Sequence, residues 1–423
     1  MPAAPLDLAD EFRSRMAPNS VRVATPSDAV CGVLPQLILE PAGEAELASA
    51  LRLASDAGLA VIPRGGGSKM AWGNAPSRAD IILSTKRLDK ITEHVWADLT
   101  VTVEAGCSIQ ALQTALARHN QRLAIDPLWP ERATVGGILS TNDSGALRLR
   151  FGSLRDLIIG VTIALPDGTL ASSGGKVVKN VAGYDLPKLV TGALGTLGVI
   201  TRAVFRLHPV PRNTKTFTIA AASLHTMQRL LLAVQDSQLA HTSLQVRMVV
   251  DAGPLLDVLF EGTEEGIAAQ HAQFQALVSP LAARESPQDV WRTCQEFWNS
   301  LDSRSSEQPG AIAKITTLPA AVAQTIESVR AIAERHQASW TLCLQAIGAG
   351  LLLLEASPDQ LRAAVSDLRA ALERGGASLV IRQRPASLPA LDAWGHFGDA
   401  LPLMRAVRMK FDPRSTLNPS RFL

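Results

Sequence analysis

One short segment constrains this chain more than any other, because it joins an apolar run to a proline and three successive glycines. Residues 60–69 read Ala-Val-Ile-Pro-Arg-Gly-Gly-Gly-Ser-Lys. A strand that ends in glycines presents backbone N–H groups that no Cβ shields. Successive amides in such a turn form an anion-binding concavity, and Arg64, Ser68 and Lys69 add donors and positive charge. The segment therefore predicts a site for one phosphate or two joined phosphates, with an ordinary flexible turn as the alternative.

Two further glycine segments narrow the kind of ligand. Residues 133–145 read Ala-Thr-Val-Gly-Gly-Ile-Leu-Ser-Thr-Asn-Asp-Ser-Gly, and residues 192–198 read Gly-Ala-Leu-Gly-Thr-Leu-Gly before an apolar strand. Three such segments, each beside a strand or helix, favour one long ligand laid against backbone, such as a dinucleotide. A nicotinamide-binding Rossmann domain is disfavoured, because no Gly-x-Gly-x-x-Gly sequence follows the first strand.

Composition excludes several classes of protein. A chain of 423 residues is too long for one ordinary core, so we expect two domains. Lys+Arg 41 and Asp+Glu 39 nearly balance and aromatic residues make up only 4%, so no nucleic-acid partner is indicated. The longest uncharged apolar run, Ala346–Leu354, is far shorter than the roughly 18 residues of a membrane helix. The N-terminus lacks a signal-peptide pattern, which predicts a cytoplasmic protein.

The four cysteines never form a Cys-x-x-Cys pair. They stand at Cys31, Cys107, Cys294 and Cys343. Such wide spacing predicts buried thiols in a reducing compartment, and no iron–sulfur cluster or structural zinc site.

The order of predicted elements changes in the middle of the chain. The first half alternates helices and strands, including a helix over Glu44–Gly58, a helix that Ser108 caps and that runs to about His119, and a hairpin of Gly160–Leu165 with Thr169–Ser172. Prolines at 209 and 211 mark a linker, after which the order strand, helix, strand, strand, helix occurs twice. This repeat predicts an antiparallel sheet covered by helices on one face. Between the repeats, Val290–Leu301 predicts a helix whose Trp291 and Trp298 share one face.

Seven motifs occur in order between residues 30 and 210. They are Pro63-Arg-Gly-Gly-Gly-Ser68, Val103-Glu-Ala-Gly106, Ala133-Thr-Val-Gly-Gly137, Gly152-Ser-Leu-Arg-Asp156, Leu165-Pro-Asp-Gly168, Lys179-Asn-Val-Ala-Gly-Tyr-Asp-Leu186 and Gly195-Thr-Leu-Gly-Val-Ile200. Together they resemble the FAD-binding domain of the p-cresol methylhydroxylase (PCMH) and vanillyl-alcohol oxidase (VAO) superfamily. The sixth motif is similar to that of glycolate oxidase E-type flavin subunits. The terminal Phe411-Asp-Pro and Leu417-Asn-Pro motifs are similar to the end of that group, with Ser420 where glycine is usual.

The resemblance implies an α+β fold. It predicts a PCMH/VAO-type FAD-binding domain of two subdomains, followed by an α/β-sandwich cap domain with an antiparallel sheet and by a C-terminal tail. We expect these domains at residues 1–212, 213–390 and 391–423, with the tail packing back on the FAD domain. The repeat in the second half would be the cap.

The resemblance also assigns residues to the cofactor. The first loop would hold the pyrophosphate through backbone amides, the second segment would line the flavin and its ribityl chain, and the third would lie near the adenine. FAD would be bound non-covalently, because Ser68 and residues 130–145 offer no histidine or cysteine for attachment. The implied cofactor-binding residues are Arg64, Gly65, Gly66, Gly67, Ser68, Thr134, Gly136, Gly137, Asn142, Ser144, Gly145, Gly195 and Ile200.

Two kinds of catalytic candidate lie in the sixth motif and just before it. Lys176 and Lys179 would place positive charge near the flavin N1–C2=O, with solvated loop lysines as the alternative. Tyr184 is the only tyrosine in the chain. It would either form a structural hydrogen-bonded pair with Asp185 or take part in catalysis.

Candidates on the substrate side are fewer. Arg382 and Arg384 would clamp a substrate carboxylate, although a surface cation pair is the commoner explanation. His396 would be a base or a packed tail histidine. The eight histidines are not spaced as in the His-rich metal motif of related 2-hydroxyacid dehydrogenases, so we expect no metal site.

The implied activity is that of an FAD subunit in a glycolate-type 2-hydroxyacid dehydrogenase complex. Hydride would leave the α-carbon of glycolate for flavin N5 while a base takes the hydroxyl proton, giving glyoxylate. Implied partners are a related FAD-binding subunit and an iron–sulfur subunit, which would place the chain in the cytoplasm or peripherally at the inner membrane face. Two alternatives remain: an FAD-binding scaffold or electron-relay subunit, and a free-standing FAD-dependent sugar-acid oxidase.

Overall fold

The computed structural model describes residues 5–175, 185–248, 253–302, 309–385, 387, 388 and 390–422. The helices are α1 (Pro5–Arg15), α2 (Glu44–Asp56), α3 (Ile109–Ala117), α4 (Val135–Thr141), α5 (Arg148–Phe151), α6 (Leu154–Leu157), α7 (Leu186–Val190), α8 (Leu224–Asp236), α9 (Glu264–Val278), α10 (Thr293–Asp302), α11 (Val322–Arg335), α12 (Pro358–Arg374) and α13 (Leu401–Phe411). The strands are β1 (Val21–Val23), β2 (Leu37–Leu39), β3 (Val61–Arg64), β4 (Ile81–Ser84), β5 (Ile91–Val95), β6 (Thr100–Glu104), β7 (Gln121–Arg122), β8 (Ile158–Ala164), β9 (Leu170–Gly174), β10 (Val199–Arg206), β11 (His208–Pro209), β12 (Asn213–Ala220), β13 (His241–Met248), β14 (Leu255–Gly262), β15 (Arg284–Ser286), β16 (Gly310–Thr316), β17 (Ser339–Gln345), β18 (Ala349–Glu355) and β19 (Ser378–Gln383).

These elements form two compact units. The first unit comprises Met1–Gly145, Gly152–Val210 and Phe397–Leu423, and the second comprises Ala146–Phe151 and Pro211–His396. None of the helices in the described part of the chain is long and apolar enough to cross a membrane.

The first unit contains two main sheets. One has the order β1-β2-β4-β3, with β2, β4 and β3 parallel, and the other has the antiparallel order β5-β6-β10-β8-β9. Helix α2 buries Leu47 and Leu51 in the core of the first sheet, as the spacing of its apolar residues predicts. Strand β3 pairs with β4 up to Arg64, so the triple-glycine loop begins where the ladder ends.

The hairpin and the helix cap that the sequence predicts in this unit are confirmed. Strands β8 and β9 form the predicted hairpin, and the amide of Leu165 donates to Thr169 O across its turn. Gly168 has a φ of 83°, the left-handed value that favours glycine in this turn. Ser108 caps α3 by accepting from Ala111 N at 3.2 Å.

The second unit is one antiparallel sheet with helices on one face. Its strand order is β15-β12-β14-β13-β17-β18-β16-β19. The series β12-α8-β13-β14-α9 and β16-α11-β17-β18-α12 is the predicted repeat, and the two copies join where the equivalent strands β13 and β17 pair. Helices α8, α9, α11 and α12 share one core with alternate residues of the strands. The antiparallel, helix-covered sheet is therefore confirmed.

The segment between the two repeats differs from expectation. Trp291 lies in a short 3-10 helix, Gln288–Arg292, and only Trp298 lies in α10. The Trp291 Nε1–H donates to Thr216 Oγ1 at 2.8 Å, a polar contact that holds the residue outside the regular helix. The expectation that both tryptophans share one helical face was therefore wrong.

Two short segments belong to the second unit for clear physical reasons. In residues 146–151, Leu149 packs against the core of the eight-stranded sheet. In residues 391–396, Ala393 is fully buried in that core and its carbonyl accepts from Ile381 N at 2.8 Å. The interpretation of the two units as a flavin-binding domain and a cap stays a prediction.

The C-terminal segment of the first unit extends its parallel sheet. Val61 N donates to Thr416 O at 2.8 Å and Asn418 N donates to Val61 O at 3.0 Å, so Leu417 forms a parallel bridge beside β3. The Asp412 carboxylate is fully buried and accepts from Thr416 N and Leu417 N. The terminal motif thus places residues 416–418 directly beside the strand that leads into the triple-glycine loop.

Candidate functional site

The triple-glycine loop presents a row of backbone donors. Within the described ranges, no protein group accepts a hydrogen bond from the N–H of Gly65, Gly66, Gly67 or Ser68. Gly66 and Gly67 are exposed, and Gly67 has a φ of 75°. Successive unpaired amides at a turn of this kind are suited to an anion such as a diphosphate. The residues present therefore fit the pyrophosphate of a dinucleotide.

The first two glycines of the loop have a packing role. A Cβ on Gly65 would lie 2.1 Å from Thr134 Oγ1, and a Cβ on Gly66 would lie 1.7 Å from Arg132 O. Their missing side chains therefore make room for residues 132–134. We had expected these glycines to make room for a ligand. Gly67 meets nothing closer than 3.9 Å and is the glycine that faces open space.

The charge of Arg64 is shared with an aspartate that the sequence did not single out. Arg64 Nη1 donates to Asp28 Oδ1 at 3.0 Å. Arg22 holds the same carboxylate with two bonds of 2.7 and 2.8 Å, and these bonds keep the pKa of Asp28 well below its usual range. Two guanidinium groups against one carboxylate leave a net charge of +1 beside the loop.

Lys69 does not supply the free positive charge that we expected. Its side chain is 5% exposed, and Nζ lies 3.1 Å from Asp143 Oδ2. Nζ also donates to Leu128 O at 3.2 Å and lies within 6 Å of the ring centroids of Trp72 and Trp129. The lysine therefore closes a buried ion pair between the first and second glycine segments, and this expectation is corrected.

The second glycine segment forms the start of α4. Thr134 caps this helix by accepting from Gly137 N at 3.3 Å, and Gly136 N donates to Ala105 O at 2.8 Å. A Cβ on Gly136 would lie 2.9 Å from Ala105 Cβ. Because both glycine amides already have acceptors, contact of these residues with a flavin stays a prediction.

The end of this segment is a tight turn. Asn142 ends α4 with a φ of 49°, and Gly145 has a φ of 70° with Asp126 O only 2.1 Å from an added Cβ. The buried Ser144 Oγ accepts from Leu154 N at 3.1 Å. These three residues shape the turn, and their predicted contacts with the ribityl chain remain untested.

The third glycine segment joins the other two. Gly192 N donates to Leu139 O and Leu194 N donates to Ser140 O, both at 2.8 Å, which fixes the segment to α4. The Cβ position of Gly195 lies 3.5 Å from Pro63 Cγ, at the end of β3. The structure therefore brings the three segments together, as one long ligand would require.

Asn418 belongs to this arrangement although the sequence did not identify it. Its Nδ2 lies 3.3 Å from the Cβ position of Gly195 and donates to Leu194 O at 2.6 Å. The Leu417-Asn-Pro motif was the signal that could have found it. Ile200, by contrast, is 5% exposed and packs in the core of the five-stranded sheet, and its contact with the cofactor stays a prediction.

The structure does not place the catalytic candidates in and just before the sixth motif. Lys176, Lys179 and Tyr184 lie outside the described residues. Asp185 is described and caps α7, with Lys188 N at 3.1 Å and Lys188 Nζ at 2.8 Å. The hydrogen bond with Lys188 lowers the pKa of Asp185. Its carboxylate therefore binds the backbone amide and the side chain of Lys188 at the start of α7.

The predicted substrate-side residues lie in the second unit. Arg382 is a buried residue of the edge strand β19, and Arg384 follows that strand, half-buried. His396 is exposed, and its backbone N–H donates to Glu373 Oε1. In the described part of the chain, no group of three His, Cys, Asp or Glu side chains could hold a metal ion. The catalytic roles of the two arginines stay predictions.

Comparisons with known proteins agree with this geometry. Residues 35–174 match the family model described as FAD binding domain. The chain is 32% identical over 183 residues to glycolate oxidase subunit GlcD of Bacillus subtilis, which covers 43% of this chain and 39% of the relative. It is 34% identical over 193 residues to a D-lactate dehydrogenase of Archaeoglobus fulgidus, which covers 45% and 42%. The matches thus span less than half of these relatives' own lengths.

A solved structure has a similar fold. Alkyldihydroxyacetonephosphate synthase superposes with a TM-score of 0.78 at 18% identity, covering 99% of this chain and 85% of that one. The α+β fold and the expectation of FAD as the cofactor are therefore confirmed. The chain has a PCMH/VAO-type fold, and its residues 35–174 match the FAD binding domain family, so FAD is its cofactor.

Proposed function

We propose that this chain is the FAD-binding subunit of a glycolate oxidase-type complex that oxidises a small 2-hydroxyacid to its 2-oxoacid. Glycolate, giving glyoxylate, is the proposed substrate. The similarity to a glycolate oxidase subunit and to a D-lactate dehydrogenase supports this class, because both act by name on 2-hydroxyacids. A related FAD-binding subunit and an iron–sulfur subunit are the proposed partners. We place the complex in the cytoplasm, with peripheral association at the inner membrane face as an alternative.

One observation carries the proposal: three glycine segments and the tail meet at a loop whose amides have no acceptor among the described residues. Gly65–Ser68 would hold the diphosphate through those amides, beside the +1 charge of the Arg22, Asp28 and Arg64 group. Bound FAD supplies a two-electron acceptor for a carbon that carries a hydroxyl group. This chain's part is to bind and orient that acceptor, non-covalently, since neither Ser68 nor residues 130–145 include a histidine or cysteine.

Anaerobic mixing tests the proposal directly. The chain is co-purified with its partners, and each flavin subunit is inactivated in turn, this chain by substitution of its triple-glycine loop. Addition of glycolate should bleach the flavin absorbance near 450 nm, a roughly two-electron change per FAD. Bleaching that persists when the related subunit is inactivated assigns substrate chemistry to this chain. No bleaching by glycolate or D-lactate, with FAD fully bound here, would overturn the proposal.

A second candidate is an FAD-binding scaffold or electron-relay subunit without substrate chemistry. It is favoured by the absence, among the described residues, of a three-residue metal-ligand group. The polar side chains of Thr134 and Ser144 favour it also, because they accept hydrogen bonds from the protein's own backbone. The same experiment separates the two functions, because a relay flavin is reduced only while the related subunit remains active.

A further inference from the structure

The last helix of the first unit presents an apolar face to solvent. Six of the 11 residues of α13 are exposed, namely Pro402, Leu403, Arg405, Ala406, Met409 and Lys410. Their positions follow the i, i+3, i+4, i+7 spacing of a single helix face. Leu403 is 69% exposed and Met409 is 52% exposed. Among the described residues, Leu403 is the large apolar side chain with the greatest exposure.

The pattern of α13 is the reverse of that in an ordinary surface helix. On its inner face, Phe411 packs against the core of the five-stranded sheet and Arg408 is buried. The helix α12, by contrast, buries its apolar stripe, which consists of Leu361, Ala364, Val365, Leu368 and Leu372. Helix α13 therefore buries a cation and exposes a leucine and a methionine. Apolar residues with cations on the solvent face of a helix are typical of helices that lie in a membrane surface.

The exposed face also carries positive charge that the protein does not neutralise. Arg405 and Lys410 form no ion pair or hydrogen bond with any residue that the structure describes. Helix α13 contains no aspartate or glutamate, and the nearest exposed carboxylate in the sequence is Asp399, before the helix begins. A face with this charge attracts an anionic surface.

The size of the face favours a lipid bilayer over a protein partner. A helix of 11 residues is about 16 Å long and about 10 Å wide, so one face of it covers about 160 Å². A stable protein interface takes about 800 Å² from each partner. A bilayer, by contrast, offers an apolar layer beneath charged headgroups and needs no matching surface around the helix.

We propose that α13 binds this chain to an anionic lipid bilayer. The helix lies parallel to the membrane surface, with Leu403 and Met409 at the boundary between the headgroups and the acyl chains. The long side chains of Arg405 and Lys410 lie along this apolar surface, and their charged ends reach the lipid phosphates. The inner membrane face carries such anionic lipids. The proposal does not depend on the substrate of the flavin site or on a partner subunit.

Co-sedimentation with lipid vesicles tests the proposal on the full chain with FAD bound. One kind of vesicle contains phosphatidylcholine alone, and the other contains an equal mixture of phosphatidylcholine and the anionic phosphatidylglycerol. Each cation near an anionic surface strengthens binding about fivefold, so the mixed vesicles should bind the chain about 25-fold more tightly. About 1 M salt, which shortens the Debye length to about 3 Å, should remove this difference.

Two sets of variants have matched controls in the second unit. Leu403→Ser should weaken binding to the mixed vesicles about tenfold, because the serine side chain gains nothing from leaving water. Leu318→Ser, at a leucine that is 67% exposed, should bind as wild type does.

Arg405→Gln combined with Lys410→Gln should make binding to the two kinds of vesicle equal. Arg330→Gln, at an exposed position of α11, is the control for charge and should keep the difference. All these side chains are exposed, so FAD content and melting temperature should stay at the wild-type values.

Three results would overturn the proposal. The first is equal binding of the wild-type chain to the two kinds of vesicle, and the second is unchanged binding of Leu403→Ser to the mixed vesicles. The third is self-association of the chain, or retention of a co-purified subunit, that Leu403→Ser abolishes and Leu318→Ser does not. A protein would then cover this face of α13.

Discussion

At the scale of single residues, the glycines of the first loop have different tasks. Gly66 has no room for a side chain, because a Cβ would lie 1.7 Å from the carbonyl oxygen of Arg132. Gly43 is a suitable control, since an added Cβ there meets nothing within 4 Å and its φ of −168° is ordinary extended backbone. The loop therefore depends on Gly66 for its packing as well as for its exposed amides.

We expect Gly66→Ala to displace the loop from residues 132–134. The variant should lose about 1–3 kcal/mol of unfolding free energy, as overpacked sites do, and most of its bound FAD. Urea unfolding and the ratio of flavin to protein absorbance measure the two effects. Gly43→Ala should differ little from wild type. Equal FAD content in the two variants would contradict the packing role.

The Lys69–Asp143 pair is a second feature that belongs to single residues. Both side chains are nearly buried, at 5% and 11% exposure. Removal of one partner leaves the other charge buried and unpaired, which costs about 3–5 kcal/mol. Lys69→Met should therefore be strongly destabilising, and Lys69→Met with Asp143→Leu should recover part of the loss. A double-mutant cycle by urea unfolding measures the coupling, and simple additivity of the two losses would refute it.

The carboxylate of Asp28 predicts a dependence of stability on pH. Its pKa is lowered in the folded protein, first of all by the hydrogen bond with Arg22. This lowered pKa of Asp28 contributes its full stabilisation at pH values above the unfolded pKa of about 3.9. The contribution decreases as the pH falls from that value toward the lower pKa of the folded state. Asp28→Asn should therefore destabilise the protein at pH 7, with a smaller difference from wild type at pH 3. A difference that is constant across this range would contradict the assignment.

At the scale of elements, the C-terminal tail organises the first unit. It lies beside β3, contacts the third glycine segment through Asn418, and holds residues 70–74 through Arg421. The buried Asp412 carboxylate fixes this path by accepting from the amides of Thr416 and Leu417. The tail therefore positions the loop that we propose for the diphosphate.

Asp412→Asn should release the tail, because an amide nitrogen cannot accept the bond that one carboxylate oxygen now accepts. Loss of a hydrogen bond to a charged group costs about 1.5–3 kcal/mol, so FAD should dissociate more readily. Fluorescence of released flavin against temperature measures this effect. Asp399→Asn, at an exposed position before α13, is the matched control. Equal FAD release from the two variants would rule out the positioning role.

At the scale of the whole molecule, the chain has two units with separate cores, and the family match lies in the first apart from residues 146–151. A ligand that binds only the folded state raises stability by mass action, by about 2.7 kcal/mol at one hundred times its Kd. FAD should therefore raise the melting temperature of the flavin-free protein. Flavin mononucleotide should raise it less, because it lacks the second phosphate and the adenine. Equal shifts, measured by thermal unfolding, would contradict binding along all three glycine segments.

The sequence alone determined the features that depend on neighbouring residues. The hairpin at Pro166-Asp167-Gly168, the Ser108 helix cap and the repeated β-α-β-β-α order follow from turn chemistry, capping and periodicity, which act over a few residues. The resemblance of seven short motifs identified the FAD-binding fold for the same reason. Each motif preserves a local backbone shape.

Only the tertiary structure decided which distant groups meet. The Lys69–Asp143 ion pair and the Asn418 contact with Leu194 join residues whose proximity no local pattern encodes. Folding also turned Gly65 and Gly66 into packing sites and made Cys31 the exposed thiol rather than a buried one. Contacts between remote segments depend on how whole sheets and helices pack, and the sequence shows only the residue types available for them.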